Sequence, residues 1–172
     1  MEKSNDNGNL KFEGDYEPNG KGKEYYDNGK LYDNNGNFYC DLKNANGLIK
    51  EYYEDGVLRF EGEYLNGLRN GKGKEYDNDK LIFEGEYLNG ERNGKGKQFH
   101  VFNQALWFEG EYSNGEKNGK GKEYDDNGNL KFDGEYLNGK RNGKGKEYDD
   151  NGELKFEGEY LNGERQYTCT IY

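Results

Sequence analysis

The chain has 172 residues and a formal net charge of -10. A low content of large aliphatic residues together with a high net charge is typical of disordered proteins. The 17 Tyr and 9 Phe argue against disorder, because disordered segments are poor in aromatic residues. The acidic balance also argues against nucleic acid as a partner, since phosphate binding requires basic patches.

The first element in chain order is a pentapeptide, Phe-(Glu/Asp)-Gly-(Glu/Asp)-Tyr, which recurs along the chain. Its successive starts differ by 48, 23, 25, 24 and 24 residues. A fixed period indicates stacked supersecondary units, and the doubled first interval indicates one degenerate unit. We therefore predict a single array over residues 1–172. Its units start near Phe12, Gly36 (the degenerate unit), Phe60, Phe83, Phe108, Phe132 and Phe156.

Each unit contains two strand signals. Apolar residues alternate with charged ones from Leu130 to Tyr136, which predicts a half-buried strand. The segment from Lys144 to Tyr148 predicts the second strand of the unit. Asn-Gly turns separate the strands, and Asn-Gly is a strong hairpin signal because both positions adopt positive φ. Since no stretch has helical periodicity, we expect no substantial helix.

The predicted fold is all-β: an elongated, single-layer, twisted antiparallel sheet of tandem β-hairpins, with the strands in chain order. The Phe and Tyr positions are expected to share one face with the pentapeptide glycines, so that a ring lies across each glycine. By parity, the pentapeptide glutamates line the opposite face, and Lys120 and Lys122 lie nearer the aromatic face. The glycines with this structural role are Gly62, Gly85, Gly110, Gly134 and Gly158.

The sequence FDGEYLNGKRNGKGKEY at residues 132–148 resembles the MORN repeat (membrane occupation and recognition nexus). The resemblance extends over nearly the whole chain. It implies a ribbon of β-hairpins that serves in protein interaction, cytoskeletal scaffolding or membrane tethering. It indicates the fold more closely than the function, because one fold serves many functions.

The most apolar departure from the repeat is HVFNQALW, which begins at the single histidine, His100. Neither a nucleophile with a base nor a nucleotide-binding motif accompanies it. The Asp-Asp-Asn-Gly turns lack the spacing of a calcium loop. We therefore predict no catalytic residue, no metal site and no cofactor. Sequence drift and a contact surface both explain the departure. The residues predicted to bind a partner are Phe102 and Trp107, with the repeat tyrosines Tyr64, Tyr87, Tyr112, Tyr136 and Tyr160.

These patterns predict a non-catalytic protein-interaction scaffold or adaptor, and the alternative is a membrane-associated tether or phospholipid-binding module. The first function implies a protein partner of unknown identity, and exposed sheet edges would also allow self-association. The negative charge disfavours binding to anionic lipid. Cys40 and Cys169 lie far apart, and no apolar run is long enough to span a bilayer. We expect a cytoplasmic protein, with attachment to the periphery of a membrane or of the cytoskeleton left open.

Overall fold

The computed structural model describes residues 45–53 and 57–167 in full, and four earlier strands by their backbone alone. Each element in this described part is a β-strand, and each strand pairing given for it is antiparallel. The prediction of an all-β chain of antiparallel hairpins is confirmed. The chain divides into two compact units, one formed by residues 1–81 and 87–90 and the other by residues 82–86 and 91–172.

The strands of the first unit do not lie in chain order. Their order in the sheet is β7-β6-β5-β1-β2-β3-β4. The strands are β1 (Lys11–Gly14), β2 (Gly22–Asp27), β3 (Lys30–Tyr32), β4 (Phe38–Asp41), β5 (Gly47–Tyr52), β6 (Leu58–Leu65), β7 (Leu68–Asp77) and the two ends of β8 (Lys80–Leu88).

The position of β1 overturns the prediction of a simple meander. β1 lies between β5 and β2, and its register places Gly14 opposite Ile49. On the other side of β5, Gly62 also lies opposite Ile49, so both neighbours of β5 present an intact Phe-Glu-Gly sequence in the same register. The degenerate pentapeptide in β4 has Phe38 at the glycine position, and β4 pairs with β3 instead.

The strands of the second unit follow one another in chain order, and each pairs with the next. Residues 82–86 of β8 also belong to this unit. The other strands are β9 (Glu91–Phe99), β10 (Leu106–Ser113), β11 (Glu116–Tyr124), β12 (Leu130–Leu137), β13 (Lys140–Tyr148), β14 (Leu154–Leu161) and β15 (Glu164–Gln166).

Two kinds of turn alternate along the second unit. Asn138 and Gly139 join β12 to β13 with φ values of 49° and 78°, the two positive values of a type I′ hairpin. The Gly139 amide also donates to the Lys117 carbonyl on β11 at 2.9 Å, so this turn is held by the preceding hairpin. On the opposite edge, Asp149 Oδ1 accepts hydrogen bonds from the backbone amides of Asn151 and Glu153, each at 2.9 Å.

The two faces of the sheet differ in chemistry. One face, here called the aromatic face, carries the pentapeptide Phe and Tyr side chains. The opposite charged face carries cross-strand pairs: Lys122 lies opposite both Glu109 and Asp133, with Lys122 Nζ 4.0 Å from Asp133 Oδ2. The prediction that Lys120 and Lys122 lie nearer the aromatic face is therefore wrong. Directly opposite residues share a face, and the turn register places Gly121, not a lysine, opposite Gly110.

Candidate interaction surface

The core contains phenylalanines of successive repeats, each packed against glycines. Phe60, Phe83, Phe108 and Phe132 have no exposed surface. Phe108 lies over Gly110 and over Gly121 on the neighbouring strand: a Cβ atom added to Gly110 would lie 2.7 Å from Phe108 Cζ, and one added to Gly121 would lie 2.6 Å from Phe108 Cε2. The prediction that a ring lies across the pentapeptide glycines is confirmed. The second-strand glycines, which the sequence interpretation did not single out, have the same role.

The repeat tyrosines connect successive repeats of the sequence. Phe108 makes edge-to-face contacts with Tyr112 of its own unit at 5.5 Å and with Tyr136 of the next unit at 5.2 Å between ring centroids. Phe132 repeats the pattern with Tyr136 and Tyr160, at 5.5 Å and 5.1 Å. All of the repeat tyrosines that were predicted to bind a partner are buried, namely Tyr64, Tyr87, Tyr112, Tyr136 and Tyr160. They offer a partner little free surface.

A second contact between successive repeats consists of a carboxylate that binds a tyrosine and an arginine of the next repeat. Glu147 on β13 accepts a hydrogen bond from the Tyr160 hydroxyl at 3.0 Å and from both Nε and Nη2 of Arg165, at 3.0 Å and 2.7 Å. Glu51 on β5 holds Arg69 in the same bidentate manner, with both distances at 2.7 Å. We call this arrangement the carboxylate clamp. The clamp explains why the regular repeats each carry a glutamate on the second strand, a tyrosine at the end of the pentapeptide and a basic residue after the Asn-Gly turn.

The clamp perturbs the ionisation of its members. The Arg165 hydrogen bond lowers the pKa of Glu147 below its ordinary value. For Glu123, burial acts to raise the pKa, but the hydrogen bond and charge of Arg141 prevail and lower it. Burial, together with the charge of Glu51, raises the pKa of the Tyr64 hydroxyl far above its ordinary value. These shifts indicate a charged network that belongs to the folded structure.

The unit that starts at Phe108 departs from this clamp. Gln98 replaces the clamp carboxylate, and Lys117 replaces the arginine. Lys117 Nζ lies 4.4 Å above the Trp107 ring, 4.2 Å above the Phe108 ring and 3.6 Å from Glu123 Oε1. Burial lowers the pKa of Lys117. The anion and the cation of the clamp are thus replaced together, directly beside the loop that interrupts the repeat.

That loop, residues 100–105 between β9 and β10, is here called the Phe102 loop, and its backbone is held by hydrogen bonds. The His100 amide donates to the Ala105 carbonyl, and the Gln104 amide donates to the His100 carbonyl, both at 2.9 Å. Asn103 Nδ2 donates to the Asp126 carbonyl at 3.0 Å. His100 Nε2 lies 3.1 Å from Asp126 Oδ1. The loop is therefore anchored both to itself and to the next loop along this edge.

The Phe102 loop presents aromatic surface to solvent. Phe102 is 92% exposed and Trp107, at the base of the loop, is 37% exposed. The Trp107 and His100 ring centroids are 5.6 Å apart. The anchoring hydrogen bonds use neighbouring residues, and the Phe102 side chain takes no part in them. Among the residues predicted to bind a partner, Phe102 and Trp107 are the two that a partner could reach.

Within residues 45–53 and 57–167, no group of His, Cys, Asp and Glu is arranged to hold a metal ion. No helix in that part of the chain is long and apolar enough to cross a membrane.

Comparison with known families identifies the repeat. A model of the MORN repeat matches residues 60–81, 83–99, 108–130 and 132–153, and a model of a MORN repeat variant matches residues 18–33 and 45–66. The chain is a MORN-repeat protein. MORN repeats are generally linked to protein or membrane interaction. No curated protein matches the sequence. The Phe102 loop of this MORN array lies between two matched segments, which end at residue 99 and resume at residue 108.

Proposed function

We propose that this MORN-repeat chain is a non-catalytic scaffold that binds a protein partner through the Phe102 loop. One observation carries the proposal: Phe102 is 92% exposed on a loop whose backbone is held by hydrogen bonds. An aromatic residue that fills a pocket on a partner is a typical hot spot of a protein interface. Because the loop is already ordered, little conformational entropy is lost when it binds.

The exposed leucines beside the Asn-Gly turns support this choice by contrast. Leu65, Leu137 and Leu161 are about half exposed, and each lies beside an Asn-Gly turn at the same position of its unit. A residue that recurs in this way does not distinguish one part of the array from another. The Phe102 loop occurs once in the sequence and interrupts the repeat, so it provides a single, defined point of attachment.

Affinity capture from native lysate, quantified by mass spectrometry, tests the proposal. The bait is the whole chain, and the matched variants are Phe102→Ala and Leu161→Ala, which each remove one exposed apolar side chain. We expect a protein captured by the unaltered chain to be depleted at least about tenfold by Phe102→Ala, the effect of losing one hot spot. Leu161→Ala should leave its recovery unchanged. A partner that is recovered equally with all three baits would contradict the proposal.

Vesicle flotation distinguishes the scaffold from a membrane tether. The scaffold should remain at the bottom of the gradient with vesicles of zwitterionic or acidic phospholipid, because carboxylates predominate in the chain and are repelled by anionic headgroups. If the unaltered chain floats at low salt and the Phe102→Ala variant does not, the loop binds a lipid surface and the proposed protein partner is wrong. The proposal also places the scaffold in the cytoplasm, where the partner would determine any attachment to a membrane or to the cytoskeleton.

A further inference from the structure

Three loops lie along the edge of the second unit that carries Phe102. They are the Phe102 loop, residues 125–129 between β11 and β12, and residues 149–153 between β13 and β14. Successive loops on one edge are two strands apart, or roughly 10 Å. Side chains connect them: Asn103 donates to the Asp126 carbonyl, and Lys131 Nζ forms ion pairs with Asp125 and with Asp150. The three loops thus form one continuous surface.

The two aspartates of each Asp-Asp-Asn-Gly loop have different roles. Asp125 Oδ1 accepts hydrogen bonds from the Asn127 and Asn129 amides, at 3.0 Å and 2.8 Å, and so builds the turn. Asp149 does the same in the next loop. The second aspartates contribute no such bond, and their side chains are exposed, 75% for Asp126 and 93% for Asp150. The turns do not require a carboxylate at these two positions.

The surface around Phe102 is strongly acidic. Five carboxylates lie in the three loops, at Asp125, Asp126, Asp149, Asp150 and Glu153. The adjacent cation, Lys131, is already paired with two of them. Because successive loops are roughly 10 Å apart, an extended segment that lies along the edge would come within one Debye length of carboxylates in more than one loop. Along this edge, the exposed Phe102 ring is therefore followed by two loops that carry more negative charge than Lys131 offsets.

We propose that this surface binds a basic segment of a protein partner, one that carries Lys or Arg side chains beside a single bulky apolar residue. The apolar residue packs against Phe102 and Trp107, while the basic side chains pair with Asp126 and join Lys131 at the exposed carboxylate of Asp150. The inference rests on the proposed function and adds the chemistry of the partner. An acidic partner would be repelled by the aspartates, and a neutral apolar one would desolvate them without compensation.

Selection from a random-peptide library against the whole chain tests the partner chemistry. The peptides that are enriched on the unaltered chain and lost on Phe102→Ala are then synthesised, and their affinities are measured by fluorescence anisotropy. We expect these peptides to carry net positive charge and one aromatic or large aliphatic residue. Their affinity should fall about tenfold when the salt concentration is raised from about 50 to about 500 mM, because that change shortens the Debye length to a few ångströms.

Charge-neutralising variants locate the contact. The double variant Asp126→Asn with Asp150→Asn should weaken binding of these peptides about tenfold, since each exposed ion pair contributes a few-fold in affinity. The matched control is Glu116→Gln, which removes one exposed carboxylate at the opposite edge of the same unit and should change the affinity less than about twofold. Thermal melting should show that all variants remain folded, because the turn-building aspartates are unaltered.

The outcomes separate the two proposals. Phe102-dependent peptides that are neutral or acidic, and that bind equally well to the double variant, would overturn the basic partner and leave the Phe102 site standing. Peptides that bind Phe102→Ala as tightly as the unaltered chain would overturn both.

Discussion

Gly110 on β10 and Gly121 on β11 lie directly opposite each other. Replacing the one or the other by alanine should nevertheless have different consequences. The three atoms nearest to a Cβ atom added to Gly121 would all belong to side chains: Phe108 Cζ, Phe108 Cε2 at 2.6 Å and Tyr136 Cε2 at 3.2 Å. A Cβ atom added to Gly110 would meet backbone as well, at 2.6 Å from both the Gly121 Cα and the Lys120 carbonyl oxygen. Replacing Phe108 by a smaller side chain should therefore relieve the overlap at Gly121→Ala, whereas the overlap of Gly110→Ala with the backbone should remain.

The expected magnitudes follow from these distances. Carbon atoms normally approach to about 3.5–4.0 Å, so Gly121→Ala creates an overlap of about 1 Å with a ring that is fully buried. Overpacking of this kind costs about 1–3 kcal/mol, and we take about 3 kcal/mol because Phe108 has no free space to enter. Phe108→Leu alone should cost about 1.5 kcal/mol, between the costs of removing one methylene group and of removing the whole ring.

Leucine lacks the ring atoms that meet the new Cβ atom, so the double variant Gly121→Ala with Phe108→Leu should lose about 2 kcal/mol instead of the additive sum of about 4.5 kcal/mol. Urea unfolding followed by the fluorescence of the single tryptophan, Trp107, measures these free energies. Gly128→Ala is the control for backbone strain alone: its φ is 83°, nothing lies within 4 Å of the added Cβ atom, and its cost should be about 1 kcal/mol. Additive losses, or equal rescue of Gly110→Ala by Phe108→Leu, would refute the packing model.

Three further predictions concern the clamp and the turns. The pKa of Glu123 is lowered in the folded state, so its contribution to stability is present above about pH 4.5 and is lost as the pH falls through the folded pKa. Glu123→Gln should therefore flatten the acid limb of a plot of urea midpoint against pH. An unchanged slope would show that this carboxylate does not cause the loss of stability at acid pH. Glu51→Gln should lower the free energy of unfolding by about 2 kcal/mol, because it removes the bidentate anion of the partly buried Arg69 guanidinium and leaves only the longer ion pair with Glu75, at 3.8 Å. Thermal melting checks this, and a loss below about 1 kcal/mol would contradict a buried ion pair. Asn138→Ala should cost about 1 kcal/mol and Asn138→Gly much less, because φ at this position is 49°; equal urea midpoints for the two variants would argue against backbone strain.

Much of the fold was predictable because its determinants lie within one period of the sequence. The alternation from Leu130 to Tyr136 and the Asn138-Gly139 dipeptide are local signals, and they predict a strand and the turn that follows it. The ring over Gly110 was predictable for the same reason, because Phe108 lies two residues away on the same strand and therefore on the same face.

The remaining features depend on pairing between segments. The clamp formed by Glu147 and Arg165 joins residues 18 positions apart, and no local pattern indicates that they meet. The place of β1 depends on a competition between two copies of the pentapeptide for β5, and the register with Ile49 shows which copy is adjacent. The exposure of Phe102 required the loop geometry, since an apolar residue in a sequence is equally consistent with burial. Its role in binding stays a prediction.

The carboxylate clamp also determines how such an array can change in length. Each complete unit contributes to two joints: a carboxylate on its second strand serves the unit that follows, and a tyrosine with a basic residue serves the unit that precedes. Duplication or deletion of one whole period of about 24 residues therefore leaves each joint with both of its halves. A change of half a period would break the alternation of first and second strands on which the clamp depends. The array can gain or lose one hairpin at a time, and the Phe102 loop would be carried along the sheet without alteration of the core beneath it.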